Sequence, residues 1–155
     1  MKLIALVPLL GALVMQSGTP APGGVRIWTA KEMHATAETL SKKLDAIKYA
    51  GEPQGTDGNR TFSIAHREAS GMAEIHDTVA DILVISEGQI TFVYGGTMVD
   101  PKVTAPGETR GPSITGGKEV KLGPGDIMHI PAKIPHQFKL DPGAKLTYFV
   151  AKVVQ

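Results

Sequence analysis

GDIMHIPAKIPH, residues 125–136, is a segment in which a short apolar strand, a turn and the start of a second strand follow one another. Gly125 opens the segment, and Pro131 and Pro135 restrict the backbone on both sides of the turn. Because this turn is rigid, His136 enters the next strand in a set direction. The segment therefore predicts a strand–turn–strand unit that presents one imidazole.

Short stretches with strand character, separated by turn residues, fill the chain after residue 51. No helical period occurs there, and the 18 glycines and 11 prolines of the chain are scattered rather than gathered in one tract. Many chain reversals between short elements are typical of all-β folds. We predict strands over residues 61–67, 72–76, 81–86, 89–94, 119–122, 126–131, 136–140 and 146–153.

The connections between these strands are predicted from their glycine, proline and aspartate residues. Glu87-Gly88 and Asp141-Pro142-Gly143 predict tight reversals between neighbouring antiparallel strands. Residues 95–117 predict a long surface excursion between two halves of a barrel, and such loops often serve as lids or binding loops. Residues 51–59 predict an irregular boundary before the barrel.

One amphipathic helix is predicted ahead of the barrel. Thr29 and Glu32 have the spacing of a capping box, so the helix should begin near Ala30. An apolar stripe recurs at intervals of three and four residues, formed by Met33, Ala37, Leu40, Leu44 and Ile47. The polar face carries charges of both signs, so we expect the stripe to pack on the barrel or on a second subunit rather than on a membrane.

The N-terminus has the pattern of a secretory signal peptide, with Met1 and Lys2 ahead of an apolar run over residues 3–15. This run is too short for a stable membrane anchor, because a helix needs about 20 residues to cross a bilayer. We expect a periplasmic or secreted protein, cleaved between residues 15 and 25. The chain is accordingly divided into a signal peptide at 1–20, a linker and helix at 21–50, and a barrel at 51–155.

Composition excludes several classes of function. The formal net charge is +1, so no large field of one sign would attract nucleic acid. There is no cysteine, which excludes disulfides, thiolate metal sites and a cysteine nucleophile. Any metal must therefore be held by nitrogen and oxygen atoms.

A second group of candidate ligands lies around residues 74–81. Glu74 and His76 share one face of a predicted strand, because side chains alternate with period two. Asp81 begins the next predicted strand, within reach across the reversal between them. Nitrogen and oxygen ligands therefore converge on one point.

These two segments resemble the consensus motifs of cupins, over about residues 60–153. The resemblance implies a double-stranded β-helix of the jelly-roll kind, here preceded by one amphipathic helix. In cupins the first motif supplies two histidines and a glutamate, the second supplies one more histidine, and together they bind a divalent metal. By position, the resemblance implies four metal ligands, Glu74, His76, Asp81 and His136.

The second motif is the closer match to the cupin pattern. Gly125, Pro131 and His136 all stand at the family spacing. Lys133 occupies a position where glycine is usual, and Leu140 one where asparagine is usual. Neither departure affects a ligand.

The first motif departs further, because Glu74 replaces a histidine, Asp81 a glutamate and Glu68 a glycine. Two histidines with two carboxylates still suit manganese, iron or zinc. Aspartate is one methylene shorter than glutamate, so Asp81 either reaches the metal or holds His76 instead. In a pocket without metal, Glu74 and Asp81 would repel each other, and one of them would titrate high enough to act as an acid.

Four further residues are candidate pocket or substrate contacts. His66 lies on the strand before the first motif and His129 lies just before Pro131. A lone histidine in a strand is more often a hydrogen-bonded or rim residue than a ligand. Arg67 and Arg110 either bind an anionic substrate or are solvated.

Two functions are compatible with these residues. The first is a metal-dependent enzyme acting on a small molecule, of the dioxygenase, isomerase or lyase type. The second is a non-catalytic, metal-free cupin that binds a sugar or another small molecule. The clustered ionisable groups favour the first, since burying them is costly. The helix stripe and the edges of a small barrel also make a homodimer plausible.

Overall fold

The computed structural model of the protein describes residues 23–155, so the predicted signal peptide and the first part of the linker lie outside the described residues. Within the described part, no helix has the length and apolarity needed to cross a membrane. The elements are α1 (Ala30–Leu40), β1 (Tyr49–Asp57), β2 (Arg60–Arg67), β3 (Ala73–His76), β4 (Val79–Gly88), β5 (Ile90–Tyr94), β6 (Thr97–Met98), β7 (Lys102–Ala105), β8 (Glu108–Gly111), β9 (Ile114–Thr115), β10 (Lys118–Leu122), β11 (Ile127–Ile130), β12 (His136–Lys139) and β13 (Leu146–Val154).

Two antiparallel sheets enclose the core, which confirms the predicted jelly-roll barrel. The larger sheet has the strand order β10-β5-β12-β3-β8-β7, and the smaller has the order β1-β2-β13-β4-β11. Strands β6 and β9 form a separate pair. Buried side chains from both sheets meet between them, among them Leu83, Ile85, Phe92, Phe138, Tyr148 and Val150.

Alternation along the strands separates the inside of the barrel from its outside. On β2, Ala65 belongs to the core between the sheets, whereas Ile64 belongs to a second cluster on the outer face. On β13, Leu146, Tyr148 and Val150 all enter the core. By the same alternation, the charged side chains of Arg67 on β2 and Lys152 on β13 also point inward.

The N-terminal helix packs on the outside of the barrel, as one of the two predicted alternatives. Its capping box is present, with Thr29 and Glu32 hydrogen-bonded reciprocally. Met33 and Leu40 pack against Ile64 of β2 in the outer cluster. The predicted stripe is too long, because the helix ends at Leu40. The carboxylate of Asp45 accepts the backbone N–H groups of residues 47 and 49, which turns the chain into β1.

The prediction of an irregular boundary over residues 51–59 is wrong. Most of this segment lies in β1, which pairs with β2 from Tyr49 to Asp57. Pro53 is tolerated within β1 because β1 is an edge strand of its sheet. A register shift between Pro53 and Gly55 accommodates the glycine, whose φ is 109°.

The reversals at Gly88 and Gly143 are not hairpins between paired strands. β4 pairs with β11 and β13, whereas β5 pairs with β10 and β12, so Gly88 lies where the chain passes from one sheet to the other. The turn with Gly143 likewise joins β12 of the larger sheet to β13 of the smaller. A turn sequence specifies a local reversal, but it does not specify which sheet the next strand joins.

The predicted long surface excursion is also wrong, because residues 95–117 contain four short strands. β8 pairs with β3, and β7 pairs with β8. This arrangement satisfies the backbone groups along an edge that β3 would otherwise expose. Met98 and Ile114 pack on Ala73 and Val93 in a third cluster. The segment is therefore part of the barrel wall.

We expect Gly88→Ala to destabilise the protein far more than Gly143→Ala. Both glycines have positive φ, 84° and 78°, so each alanine should cost about 1 kcal/mol in backbone strain. At Gly88 the new Cβ would also collide with the backbone carbonyl of Lys145, whereas at Gly143 it would meet nothing. Gly88→Ala should therefore lose at least about 2 kcal/mol more in urea unfolding. Equal losses would contradict the close crossing of the two sheets at this corner.

Candidate metal centre

Strand β3 supplies two of the candidate ligands. Glu74 and His76 lie on its inner face, while Ile75 points the other way and packs against the third cluster. β12 and β8 flank β3, so Glu74 faces His136 on one side and Arg110 on the other. Directly paired residues in antiparallel strands have neighbouring side chains, which brings groups from three strands together.

Glu74, His76 and His136 form a group that could hold a metal ion, with one ligand atom of each lying within 4.8 Å of the others. Glu74 Oε2 lies 3.7 Å from His76 Nε2 and 4.0 Å from His136 Nε2. Both imidazoles are buried, and Glu74 is partly buried. The group brings together three of the four predicted ligands, two imidazoles and one carboxylate.

The imidazole of His136 is held in one tautomer. Its Nδ1–H donates to the carbonyl oxygen of Ile134 at 3.0 Å. Burial lowers the pKa of His136 below its ordinary value, so the ring is neutral at neutral pH. Its Nε2 therefore carries a lone pair, and this atom faces Glu74.

His76 has the same arrangement with a different acceptor. Its Nδ1–H donates to the carboxylate of Glu108, at 2.8 and 2.9 Å. Its Nε2 accepts from the ammonium of Lys152 at 3.0 Å. Burial, the largest influence, lowers the pKa of His76, but the hydrogen bond with Asp81 and the nearby carboxylates outweigh it and raise the pKa. The carboxylates around the ring therefore favour its protonated form, in which Nε2–H would donate to Asp81, whereas in the neutral ring Nε2 accepts from Lys152.

Asp81 lies outside the three-residue group, on the facing sheet. It is paired with Lys152 across β4 and β13, and its two oxygens accept from Lys152 Nζ at 2.9 and 3.1 Å. It also lies 3.3 Å from His76 Nε2. Burial raises the pKa of Asp81, but the hydrogen bond with His76 and the Lys152 ammonium outweigh burial and lower it. The structure thus places Asp81 as a partner of Lys152 and His76.

Arg110 connects two of the carboxylates. Its Nη1 contacts Glu74 Oε1, and its Nη2 donates to Glu108 Oε2 at 3.2 Å. Glu74 is therefore held through one oxygen, while its other oxygen points toward the imidazoles. Arg110 fixes the orientation of both acidic side chains.

A cavity of about 560 Å³ opens beside these residues, within the range usual for small-molecule sites. Arg67 and Arg110 line it, which places both predicted arginines in the pocket. His66 lies on the other face of β2 and contacts Thr147 at 2.9 Å. His129 is exposed on β11, so neither histidine contributes to the described lining of this pocket.

The ionisable residues described above form one polar cluster, made of Glu74, His76, Asp81, Glu108, Arg110, His136 and Lys152. The sequence analysis missed two of them, Lys152 and Glu108. Lys152 continues the inward alternation of Leu146, Tyr148 and Val150, so the strand pattern contained a signal for it. Glu108 lies in the segment predicted as a loop, and nothing in its sequence surroundings indicates that β8 pairs with β3. Such a residue becomes visible only with the tertiary pairing.

No protein-family model and no curated protein matches this chain in sequence. Solved structures do match it in fold. TT1209 from Thermus thermophilus has a TM-score of 0.51 and 15% identity over 73% of this chain and 92% of its own. FeII HppE has a TM-score of 0.51 and 13% identity, and the match covers 68% of this chain and 50% of HppE.

Peruvianin-I, a cysteine peptidase from Thevetia peruviana latex, has a TM-score of 0.50 and 13% identity. That match covers 72% of this chain and 64% of peruvianin-I. Our chain therefore spans between half and two thirds of the length of peruvianin-I and HppE. At these identities the likeness concerns the fold alone.

Lys152→Met should destabilise the metal-free protein at pH 7 by about 2 kcal/mol, less than for a fully buried pair because the Lys152 side chain is 39% exposed. It would leave Asp81, which is buried, without its cation. The pKa of Asp81 is lowered, so this stabilisation is present above its unfolded pKa and is lost as the pH falls through its folded pKa. The difference from the wild type in urea unfolding should therefore shrink below about pH 4.

Lys139→Met is the matched control for Lys152→Met. Lys139 Nζ donates to Glu119 at 2.8 Å, but both side chains are exposed. Exposed pairs contribute about 0–1 kcal/mol, so this variant should unfold nearly like the wild type. Equal losses in the two variants would contradict the buried character of the Asp81–Lys152 pair.

Proposed function

This chain has the cupin fold, and we propose that it binds one divalent transition-metal ion through Glu74, His76 and His136 and acts on a small molecule in the adjacent cavity. The observation that carries the proposal is the orientation of the two imidazoles. Each has its Nδ1–H bound to a protein acceptor, so the lone pair of the neutral ring is on Nε2, on the side of Glu74. An ion bound to His76 Nε2 would take the place of the Lys152 ammonium there. Histidine ligands in metal sites are usually held in this way.

The donor set fits a metal of the first transition series. Two imidazole nitrogens with one carboxylate oxygen form the set typical of non-haem iron(II) sites, and they also suit manganese and zinc. Three protein ligands leave coordination positions open to a substrate. FeII HppE, one of the structures with a similar fold, supports a metal role without identifying the ion here.

The surrounding residues have separable roles in this proposal. Glu108 and Ile134 keep the two Nδ1 protons in place, and Arg110 orients Glu74. Lys152 donates to both His76 Nε2 and Asp81. An ion bound to His76 Nε2 would displace Lys152 from this nitrogen, and Lys152 would remain paired with Asp81. A bound divalent ion would supply Lewis acidity that polarises an oxygen of the substrate.

The contacts of Lys152 support a second candidate function, in which the protein binds a small molecule without a metal and without catalysing a reaction. The ammonium satisfies both His76 Nε2 and the Asp81 carboxylate, and Arg110 satisfies Glu74. The polar groups of the cluster therefore have partners even without a metal. Metal titration separates the two functions.

Wild-type protein freed of metal should bind one equivalent of Co²⁺, Zn²⁺, Mn²⁺ or Fe²⁺ in calorimetric titration, with a rise in melting temperature. His136→Ala should remove most of this affinity, because one of only three protein ligands is lost. His129→Ala is the control, since His129 is exposed and outside the cluster. Occupancy below about a tenth of an equivalent with no thermal shift would favour the metal-free alternative. Unchanged binding in His136→Ala would refute the ligand set.

Glu108→Gln should weaken metal binding by about tenfold to a hundredfold without abolishing it. A glutamine no longer presents a carboxylate to the Nδ1–H of His76, so the ring loses both its orientation and part of its basicity. Glu119→Gln serves as control, because Glu119 pairs only with exposed Lys139 in the described residues. Equal affinities of the two variants would show that Glu108 does not position His76.

A further inference from the structure

Two buried side-chain atoms of residues 23–155 lack a hydrogen-bond partner, Arg67 Nε and Gln137 Oε1. Both residues line the cavity beside the metal group. Both are also nine-tenths or more buried, with relative exposures of 6% and 5%. Buried polar groups are normally satisfied, so an unpaired donor and an unpaired acceptor in one cavity indicate a ligand.

Arg67 is a buried cation without a carboxylate partner among residues 23–155. Its one hydrogen bond to a backbone oxygen, from Nη1 to Ala69, is long at 3.5 Å. Its guanidinium instead lies over the rings of Tyr49 and Phe138, 5.3 and 5.8 Å from their centroids. Arg110 and Lys152, the other cations of the cavity, are both paired with carboxylates. Arg67 is therefore the cation available to an incoming anion.

Gln137 has a fixed orientation. Its Nε2 donates to the carbonyl oxygens of Gly71 and Pro112, at 2.8 and 3.1 Å. Both donor positions of the amide are thus used, and Oε1 is left as an acceptor that no side chain reaches. Gly71 borders both groups, because a Cβ built there would touch the Arg67 guanidinium.

We propose that Arg67 and Gln137 form a subsite for a small carboxylic acid that also carries a hydroxyl or N–H group. Arg67 would donate its Nε–H and an Nη–H to the carboxylate as a planar fork, and Gln137 Oε1 would accept from the hydroxyl or N–H. The ring walls of Tyr49 and Phe138 exclude water and strengthen the charge interaction. This inference names a substrate class for the proposed function and rests on it only for the role of the metal.

A carboxylate suits this subsite better than a phosphate. Inorganic phosphate could offer Gln137 Oε1 an O–H, but its dianion would bring two negative charges to Arg67, whose guanidinium carries only one positive charge. A simple acid such as acetate would pair with Arg67 but leave Gln137 unsatisfied. The expected order of affinity is therefore glycolate above acetate, with inorganic phosphate and the neutral amide glycolamide weakest.

The test is calorimetric titration of these four probes into the metal-free wild type, Arg67→Met and Gly71→Ala. Arg67→Met should weaken glycolate binding by about tenfold to a hundredfold. Gly71→Ala keeps the charge but pushes the flexible end of Arg67 aside, and Gly71 does not have a positive φ, so it should also lose affinity while remaining folded. Gly123→Ala is the matched control, because its Cβ would make only an ordinary contact with Gln89.

Glycolate binding that Arg67→Met and Gly71→Ala leave unchanged, or a preference for phosphate or glycolamide, would overturn the proposed subsite. Repeating the titrations with Co²⁺-loaded protein separates this inference from the proposed function. If Co²⁺ does not bind but glycolate still binds in a way that depends on Arg67, the metal proposal fails and the subsite stands. If Co²⁺ binds and glycolate affinity is the same in all three proteins, the subsite fails and the metal proposal stands.

Discussion

The register of the four-residue strand β3 is the constraint on which the site depends. β3 lies between β12 and β8, and its pairing sets Glu74 opposite both His136 and Arg110, and His76 opposite Glu108. A slip by one residue would turn Ile75 inward and both ligands outward, because side chains alternate with period two. The third cluster, which receives Ile75 on the other face, resists this slip. The packing of an apolar residue thus fixes the polar site.

Charge balance is the second constraint on the cluster. Glu74, Asp81 and Glu108 are three carboxylates, and Arg110 and Lys152 are two cations, so the group is negative by one charge when both imidazoles are neutral. Burial of unbalanced charge is costly. One more positive charge, a proton on an imidazole or a metal ion, removes this deficit. The raised pKa of His76 and the proposed metal affinity therefore have the same electrostatic origin.

Local sequence patterns predicted most strands and the helix. They did not predict which strands pair with each other or which strand lies at a sheet edge. The alternation of side chains along a strand predicted that Glu74 and His76 share one face, as they do in the structure. Residues 51–59, with one proline and three glycines, predict an irregular boundary, because a sequence does not show that this strand lies at a sheet edge, where a proline is tolerated. Gly88 was interpreted as a hairpin, because sheet membership depends on distant strands. Lys152 was missed, although alternation along β13 points it inward, and Glu108 required the pairing of β8 with β3.

Arg67 raises the question of whether a buried cation is kept for packing or for binding. Contacts with Tyr49 and Phe138 stabilise it, but an apolar side chain of similar volume would pack there without the cost of desolvating a charge. An unpaired Nε–H beside an open cavity adds to that cost. If Arg67 served only to pack the barrel, an apolar side chain of similar volume would be more favourable at this position. If Arg67 binds an anion, its charge has to be buried and unpaired before the anion arrives. The same logic applies to Gln137, whose donors are used and whose acceptor is not.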